Sequence, residues 1–183
     1  MPHFLSACII KFYSAQVYSN SGGFKINILK IPMMPKEEYD QLIKEQFIGR
    51  IAFKGEGSPY IAPFMYVFDG RNLYFLSTRY GKKVEYFRSS PDVSVEVEHY
   101  APDMSQYRFV TLTGRLEEVR NPVDSRLIRT RFLEMFKTKK LARNALAALG
   151  YPPDAPVESI MSESTNVVWK LAGVKSIVGL KNI

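Results

Sequence analysis

Apolar and polar residues alternate along much of this chain with the period of two that is typical of β-strands. Turn-forming residues at 55–58 and 69–71 separate neighbouring runs. The predicted strands cover residues 47–53, 60–68, 72–77, 92–99 and 107–119, with a final strand or hairpin between 166 and 181.

Three segments show helical spacing instead. Residues 35–46 begin with Pro35 and two acids and place Leu42 and Ile43 on one face, so they predict a short helix. A second short helix is predicted over 81–88, and a long helical region over 121–149 ends at Gly150. Its apolar positions at helical spacing are Leu127, Ile128, Phe132, Met135, Phe136, Leu141, Leu146 and Leu149.

Short strands at regular spacing, interrupted by one long helical excursion, predict a mainly β domain: a closed β-barrel with helices packed outside. A dinucleotide-binding Rossmann fold is disfavoured. The pair Gly55 and Gly57 leads to Pro59 and a strand, whereas that fold requires a helix there.

The first 32 residues differ from the rest because they contain no acidic residue and show no sustained period. They are predicted to be a poorly ordered extension, an artefact of start-codon choice, or an added strand or dimer arm, since residues 24–28 alternate. The folded domain is predicted to cover residues 33–183.

The chain has 183 residues and a net charge of +7, of which the first 32 residues supply three lysines. Seven further basic residues lie on the long helical region. They predict either a solvated helix face or a surface that binds phosphorylated ligands or nucleic acid. They are Arg126, Arg129, Arg131, Lys137, Lys139, Lys140 and Arg143.

The small number of cysteines and histidines limits the disulfides and metal sites that the chain can form. Cys8 is the only cysteine, so an intrachain disulfide is excluded and a reducing, cytoplasmic setting is expected. His3 and His99 are the only histidines, which disfavours a histidine-rich metal site; His99 is expected at a strand end or surface. No segment approaches the roughly 18 apolar residues of a membrane helix.

Two neighbouring segments carry candidate ligand chemistry. Ser77 and Thr78 offer hydroxyls, and Lys82 and Lys83 offer positive charge at a helix predicted to begin near Gly81, a combination suited to phosphate. The strand Ala62-Pro63-Phe64-Met65-Tyr66 contains a proline, which marks an edge or bulge where a ligand can approach the backbone. Together they suit an aromatic ligand with a phosphate.

The order of these pieces resembles the FMN-binding split barrels related to pyridoxamine 5'-phosphate oxidase. The resemblance covers roughly residues 33–118, and the spacing from Tyr74-Phe75 to Gly81-Lys82-Lys83 is most similar to the nitroimidazole-resistance flavoproteins. The matching pieces are Ile48-Gly49-Arg50-Ile51-Ala52, Ser58-Pro59-Tyr60-Ile61-Ala62-Pro63, Leu73-Tyr74-Phe75, Gly81-Lys82-Lys83, Pro91-Asp92-Val93-Ser94-Val95 and Gly114-Arg115-Leu116-Glu117.

The resemblance implies a Greek-key-like split barrel, a homodimer, and a flavin between the subunits that exchanges electrons with a small acceptor. Arg108 would reach the flavin site of the second subunit, and the catalytic residues stay open. The implied cofactor is FMN, with a deazaflavin coenzyme or haem as alternatives. Its implied contacts are Ala62, Pro63, Phe64, Met65 and Tyr66 at the ring, and Ser77, Thr78, Lys82 and Lys83 at the phosphate.

Three positions depart from the family pattern. The oxidase proper has Arg near Ala62 and Lys near Val67, so true pyridoxamine phosphate oxidation is not expected. Leu76 stands where the nitroimidazole-resistance subgroup has His, which puts any imidazole-dependent activity in doubt. A binding or storage module without turnover, and a basic nucleic-acid binder centred on residues 126–143, are the alternatives.

Overall fold

The computed structural model describes residues 31–55 and 58–182. Residues 1–30 of the predicted extension, which include its alternating segment at 24–28, and part of the turn at 55–58 therefore lie outside the described residues. In chain order the helices are α1 (Lys36–Glu45), α2 (Lys82–Ser89) and α3 (Pro122–Thr138), followed by two 3-10 helices, η1 (Arg143–Leu149) and η2 (Val157–Met161). The strands are β1 (Ile48–Phe53), β2 (Tyr60–Phe68), β3 (Leu73–Thr78), β4 (Asp92–Tyr100), β5 (Tyr107–Glu118) and β6 (Asn166–Lys181).

The strands close into an antiparallel barrel in the order β1-β2-β3-β6-β5-β4, with β4 returning to β1. This arrangement confirms the predicted β-barrel. β6 is one strand of 16 residues and not a hairpin, and the irregularity opposite Thr113 and Arg115 lets it bend while it pairs with both β3 and β5. Met33 forms a bridge with Leu180, so the described chain joins the barrel before α1 begins.

The alternation of each strand places one set of side chains inside the barrel. Phe53, Phe75 and Trp169 are buried there, and Trp169 packs edge-on to Phe53 with ring centroids 6.3 Å apart. β3 is buried on both faces, since α3, η1 and η2 form a second apolar cluster on its outer side with Leu76. Trp169 is thus a core residue.

The long helical region ends earlier than its apolar spacing predicts. α3 stops at Thr138 because Lys140 takes a left-handed conformation, φ 50°, and the Leu141 amide donates to the Phe136 carbonyl 3.0 Å away. Residues 143–149 form η1 instead. Leu127, predicted in the apolar set, is exposed on the outer face of α3. No helix in the described ranges combines the length and apolar character needed to cross a bilayer.

Candidate functional site

A gap in strand pairing between β2 and β3 creates the candidate site. β2 pairs with β1 from Tyr60 to Met65, and its register with β3 runs only from Tyr66 opposite Phe75 to Phe68 opposite Leu73. On its other edge, β3 pairs with β6 from Tyr74 to Thr78, and its register with β2 does not extend past Phe75. Residues 60–65 therefore have one edge without a strand partner in the described structure. Pro63 lies in this stretch, consistent with the tolerance of proline at a strand edge.

A groove of about 310 Å³ lies against this open edge. Pro63, Phe64 and Met65 of β2 form one side of it, and Leu76 and Lys83 border it near the end of β3. The opposite wall consists of small and aliphatic side chains before and within η1, which are Leu141, Ala145, Ala148 and Leu149. Among the described residues that line the groove, Lys83 is the one with an ionisable side chain, so the groove suits an apolar, flat ligand with an anionic group.

Lys82 and Lys83 meet different surroundings although they are adjacent. The Lys83 ammonium lies 5.9 Å from the Phe64 ring centroid in the groove, and burial lowers the pKa of Lys83 below its ordinary value. The Lys82 ammonium lies over the rings of Tyr60 and Tyr86, at 5.4 Å and 5.8 Å from their centroids. Lys83 is thus the lysine that the structure brings to the groove.

The predicted phosphate-binding segment, residues 77–83, contains the beginning of α2 and two hydroxyl groups that already donate hydrogen bonds to the backbone. Gly81 caps α2 with φ 93°, and its carbonyl accepts from the Val84 amide at 2.9 Å. The Ser77 hydroxyl donates to the carbonyl of Thr78 at 3.0 Å, and the Thr78 hydroxyl donates to the carbonyl of Tyr80 at 2.9 Å. Both hydroxyl protons are therefore occupied by backbone, and both side chains are buried.

Three other predicted site residues lie away from the groove. Ala62 and Tyr66 point into the barrel, and the Tyr66 hydroxyl donates to the Ile43 carbonyl at 2.7 Å, which ties β2 to α1. Burial raises the pKa of that hydroxyl. Arg108, at the start of β5, pairs with Glu45 at 3.1 Å. No pair of copies is described, so the predicted contact of Arg108 with a second subunit stays a prediction.

The charges on and after α3 do not form one solvated face. Arg129 is 1% exposed and donates to the carbonyls of Ile160, Ser162 and Asn166 at 2.8, 2.9 and 3.0 Å. Its Nη1 also donates to Asn166 Oδ1 at 2.6 Å. This guanidinium fastens the segment after η1 to α3. Its spacing three residues before Phe132 was the sequence signal that it belonged to the buried face.

The sequence interpretation did not predict the groove wall formed before and within η1, called the η1 wall below, because residues 143–149 were expected to continue the long helix. His99 lies exposed at the end of β4, as predicted. Within residues 31–55 and 58–182, no group of three or more His, Cys, Asp or Glu side chains is placed to hold a metal ion.

Comparison with known proteins identifies related chains. An uncharacterized protein of Rhizobium meliloti is 32% identical over 89 residues, which span 49% of this chain and 58% of that protein. A solved FAD-binding protein from Mesorhizobium loti has a TM-score of 0.61 at 21% identity, covering 83% of this chain and 96% of its own. The haem storage protein of Vibrio cholerae has a TM-score of 0.58 at 13% identity, covering 80% and 94% respectively.

At these low identities, the solved structures show that this chain shares their fold. A protein-family model described as pyridoxamine 5'-phosphate oxidase matches residues 35–156, more than half of the chain, including β1, β2, β3, α2 and the η1 wall. The chain belongs to the pyridoxamine 5'-phosphate oxidase family.

Proposed function

We propose that this protein binds a flavin nucleotide, FMN in the first instance, in the groove between β2 and β3 and uses it to transfer electrons to a small acceptor. The observation that carries the proposal is the open edge of β2 beside an apolar groove whose one charged lining residue, among those described, is Lys83. FAD binding by the Mesorhizobium loti neighbour supports a flavin in this fold.

The residues present fit a flavin in three respects. Unpaired backbone groups on β2 between Tyr60 and Met65 offer donors and acceptors to the polar edge of a fused ring. Apolar side chains of β2 and η1 exclude water from its faces, and Lys83 supplies a cation for a phosphate. The flavin, when bound, supplies the hydride or electron chemistry, and the protein orients it and sets its electrostatic surroundings.

The residues that depart from the oxidase are buried here. Ala62 and Val67 are apolar core residues of β2, so neither offers the charged side chain that the oxidase resemblance implies at those positions. Leu76 is also buried, at 2% exposure, and replaces an imidazole with a hydrocarbon wall. We therefore propose a flavin reductase or nitroreductase-like reaction without a protein imidazole, and not the oxidation of pyridoxamine phosphate.

A second copy of the chain would complete the site. Ile48 and Pro63 line the groove from exposed positions on the outer face of β1 and β2, and Ile61 beside them is 62% exposed. Covering this face would remove apolar surface from water. We propose that the protein is a homodimer, acts in the cytoplasm, and takes a small molecule as its acceptor.

Binding without turnover is the second candidate. Apart from Lys83, the described groove-lining residues offer no side chain that could transfer a proton, and a haem storage protein shares the fold. Met65 would be the candidate iron ligand for haem, because its thioether lines the groove while His99 lies elsewhere. A deazaflavin coenzyme would place its fused ring in the same groove and its phosphate near Lys83.

Reduction of the bound flavin separates the two candidates. The FMN-loaded protein is mixed anaerobically with NADH or NADPH, and the visible absorbance of the flavin is followed. The proposed oxidoreductase bleaches and recovers its colour when an acceptor such as a quinone or nitroaromatic is added. A protein that keeps FMN belongs to the storage class if neither donor reduces the flavin, or if no acceptor reoxidises the flavin once it is reduced.

The position of Arg129 argues against the nucleic-acid alternative, because its guanidinium is buried and donates hydrogen bonds to the carbonyls of Ile160 and Ser162. Lys137 also pairs with Glu158 at 3.1 Å, and the Lys139 ammonium donates to the Glu45 carbonyl at 3.2 Å. A basic nucleic-acid binder would show binding that weakens steeply with salt. An absence of DNA and RNA binding at low salt would remove this alternative.

A further inference from the structure

Lys83 places a primary amine at the wall of the groove. The residue is the second of α2, and its side chain is partly buried, whereas that of the adjacent Lys82 is exposed. The Lys83 Nζ lies 5.9 Å from the Phe64 ring centroid. The other described residues that line the groove are apolar, so this amine meets hydrocarbon on the groove side.

No acidic group balances this amine among the described residues. None of their ion pairs includes Lys83, so no described carboxylate is close enough to neutralise its charge. Burial lowers the pKa of Lys83 below its ordinary value. An ammonium in apolar surroundings without a counterion is disfavoured relative to the neutral amine. Lys83 therefore carries a larger neutral fraction than a fully solvated lysine does.

The neutral form of a lysine is a nucleophile. Lysines that are desolvated in apolar pockets attack carbonyl carbons and form Schiff bases. A solvated lysine, with an ordinary pKa of about 10.4, is almost wholly protonated at neutral pH and reacts slowly. Among the described residues that line the groove, Lys83 is the one suited to form a bond with a carbonyl compound.

The lining of the groove decides which carbonyl compounds reach the amine. Its volume is about 310 Å³, within the range of small-molecule sites. Phe64 and Met65 line one side, and the small side chains of Ala145 and Ala148 line the other, which favours a flat, apolar ring. We propose that the groove takes up aromatic aldehydes and that the Lys83 amine binds them as a reversible imine.

The condensation balances without an oxidant or a reductant. The lone pair of the Lys83 Nζ attacks the carbonyl carbon, while the carbon–oxygen π bond breaks toward oxygen. Both protons of the neutral amine pass to that oxygen, which leaves as water, and the nitrogen forms a double bond to the carbon. Hydrolysis reverses the reaction. Because the described lining offers no second ionisable group, solvent water carries the protons.

This activity goes beyond flavin binding and does not require it. The protonated form of Lys83 attracts a phosphate, whereas the neutral form attacks a carbonyl, so the two ligands use the amine one at a time. An aldehyde in the groove would also occupy the space proposed for the flavin ring. The imine is therefore tested on protein without bound flavin, and its failure would leave the flavin proposal standing, since that proposal is tested by retention of FMN.

Trapping with borohydride tests the imine directly. The full-length protein is dialysed until it shows no visible flavin absorbance, incubated with benzaldehyde, and treated with sodium borohydride, which reduces an imine to a stable secondary amine. Peptide mass spectrometry then locates the added benzyl group. We expect Lys83 to be benzylated about tenfold more than Lys82, with saturation as the benzaldehyde concentration rises. Labelling that is spread evenly over the lysines, or that rises linearly at Lys83, would overturn the proposal.

A second aldehyde tests the class of ligand. Propanal condenses with amines in the same way but has no ring for the groove to hold. It should show little preference between Lys83 and Lys82. A preference for Lys83 as strong as that of benzaldehyde would contradict the recognition of an aromatic ring.

Variants test whether the groove, and not the lysine alone, directs the reaction. Ala148→Leu should fill part of the groove and lower the benzylation of Lys83 about tenfold. Ala147→Leu is the matched control, because Ala147 is exposed and does not line the groove. Lys83→Arg keeps the positive charge and should abolish the saturable addition. Benzylation that is unchanged in Ala148→Leu would contradict binding in the groove.

Discussion

Lys83 illustrates how one residue can decide both the affinity and the pH dependence of the site. Its ammonium lies beside Phe64 in the groove, and desolvation lowers its pKa below the ordinary 10.5. As pH rises through that lowered pKa, the ligand-free protein loses the charge that attracts a phosphate. Below it, the charge is fully present.

We therefore predict that FMN affinity falls as pH rises from about 8 toward 10.5, a window above the second phosphate ionisation. Lys83→Met should lower affinity roughly tenfold at pH 8 and flatten this dependence. Lys82→Met is the matched control, because its ammonium lies over Tyr60 and Tyr86 instead. Equilibrium titration followed by flavin fluorescence measures the FMN affinity of each variant as a function of pH. Identical pH profiles for the two variants would count against the role of Lys83.

Arg129 belongs to the stability of the protein and not to a nucleic-acid surface. Arg129→Ala should lower the free energy of unfolding by about 3 kcal/mol or more, because it leaves buried carbonyls without donors. Arg126→Ala, on the same helix but exposed, should change it by less than about 0.5 kcal/mol. Urea unfolding compares the two, and similar losses would show that the buried network contributes little.

At the scale of elements, the β-strands were predictable and the groove wall was not. β2 and β4 lie within a residue of their predicted bounds, because alternation of apolar and polar positions records which face of a strand is buried. The end of α3 depended on the left-handed backbone at Lys140, a residue type that gives no such signal. The wall formed by η1 was therefore hidden in a predicted helix.

The candidate site, like the fold, was predictable from the sequence only in part. Proline in β2 correctly marked an open edge, since a missing amide donor is a property of the residue itself. Which of two adjacent lysines enters the groove depends on how α2 rotates against the barrel, because successive helical residues point about 100° apart. Sequence could place both near the site but could not choose between them.

The η1 wall gives a prediction about groove volume. Ala148 lines the groove and is exposed in the described chain, so Ala148→Leu should fill part of the groove without disturbing the core. We expect FMN affinity to fall at least about tenfold while the free energy of unfolding stays within about 0.5 kcal/mol. Ala147→Leu is the control, because Ala147 is exposed and does not line the groove. Unchanged FMN affinity in Ala148→Leu would remove η1 from the site.

At the scale of the whole molecule, the exposed apolar face of β1 and β2 predicts self-association. Under the dimer proposal, Ile61→Glu should shift the protein from dimer to monomer in sedimentation velocity and weaken FMN retention, since the second copy would cover the groove. Val123→Glu changes an even more exposed apolar residue on α3 and should leave the dimer intact. A wild-type protein that sediments as a monomer at micromolar concentration would contradict the dimer proposal.

The most direct test of the flavin proposal is an absorbance spectrum of the full-length protein after incubation with FMN and desalting. We predict that the visible bands of an oxidised flavin remain at about one flavin per chain. Lys83→Ala should lose most of this colour, whereas Lys82→Ala should keep it. A wild-type protein that emerges colourless, with intact secondary structure by circular dichroism, would contradict flavin binding in the groove.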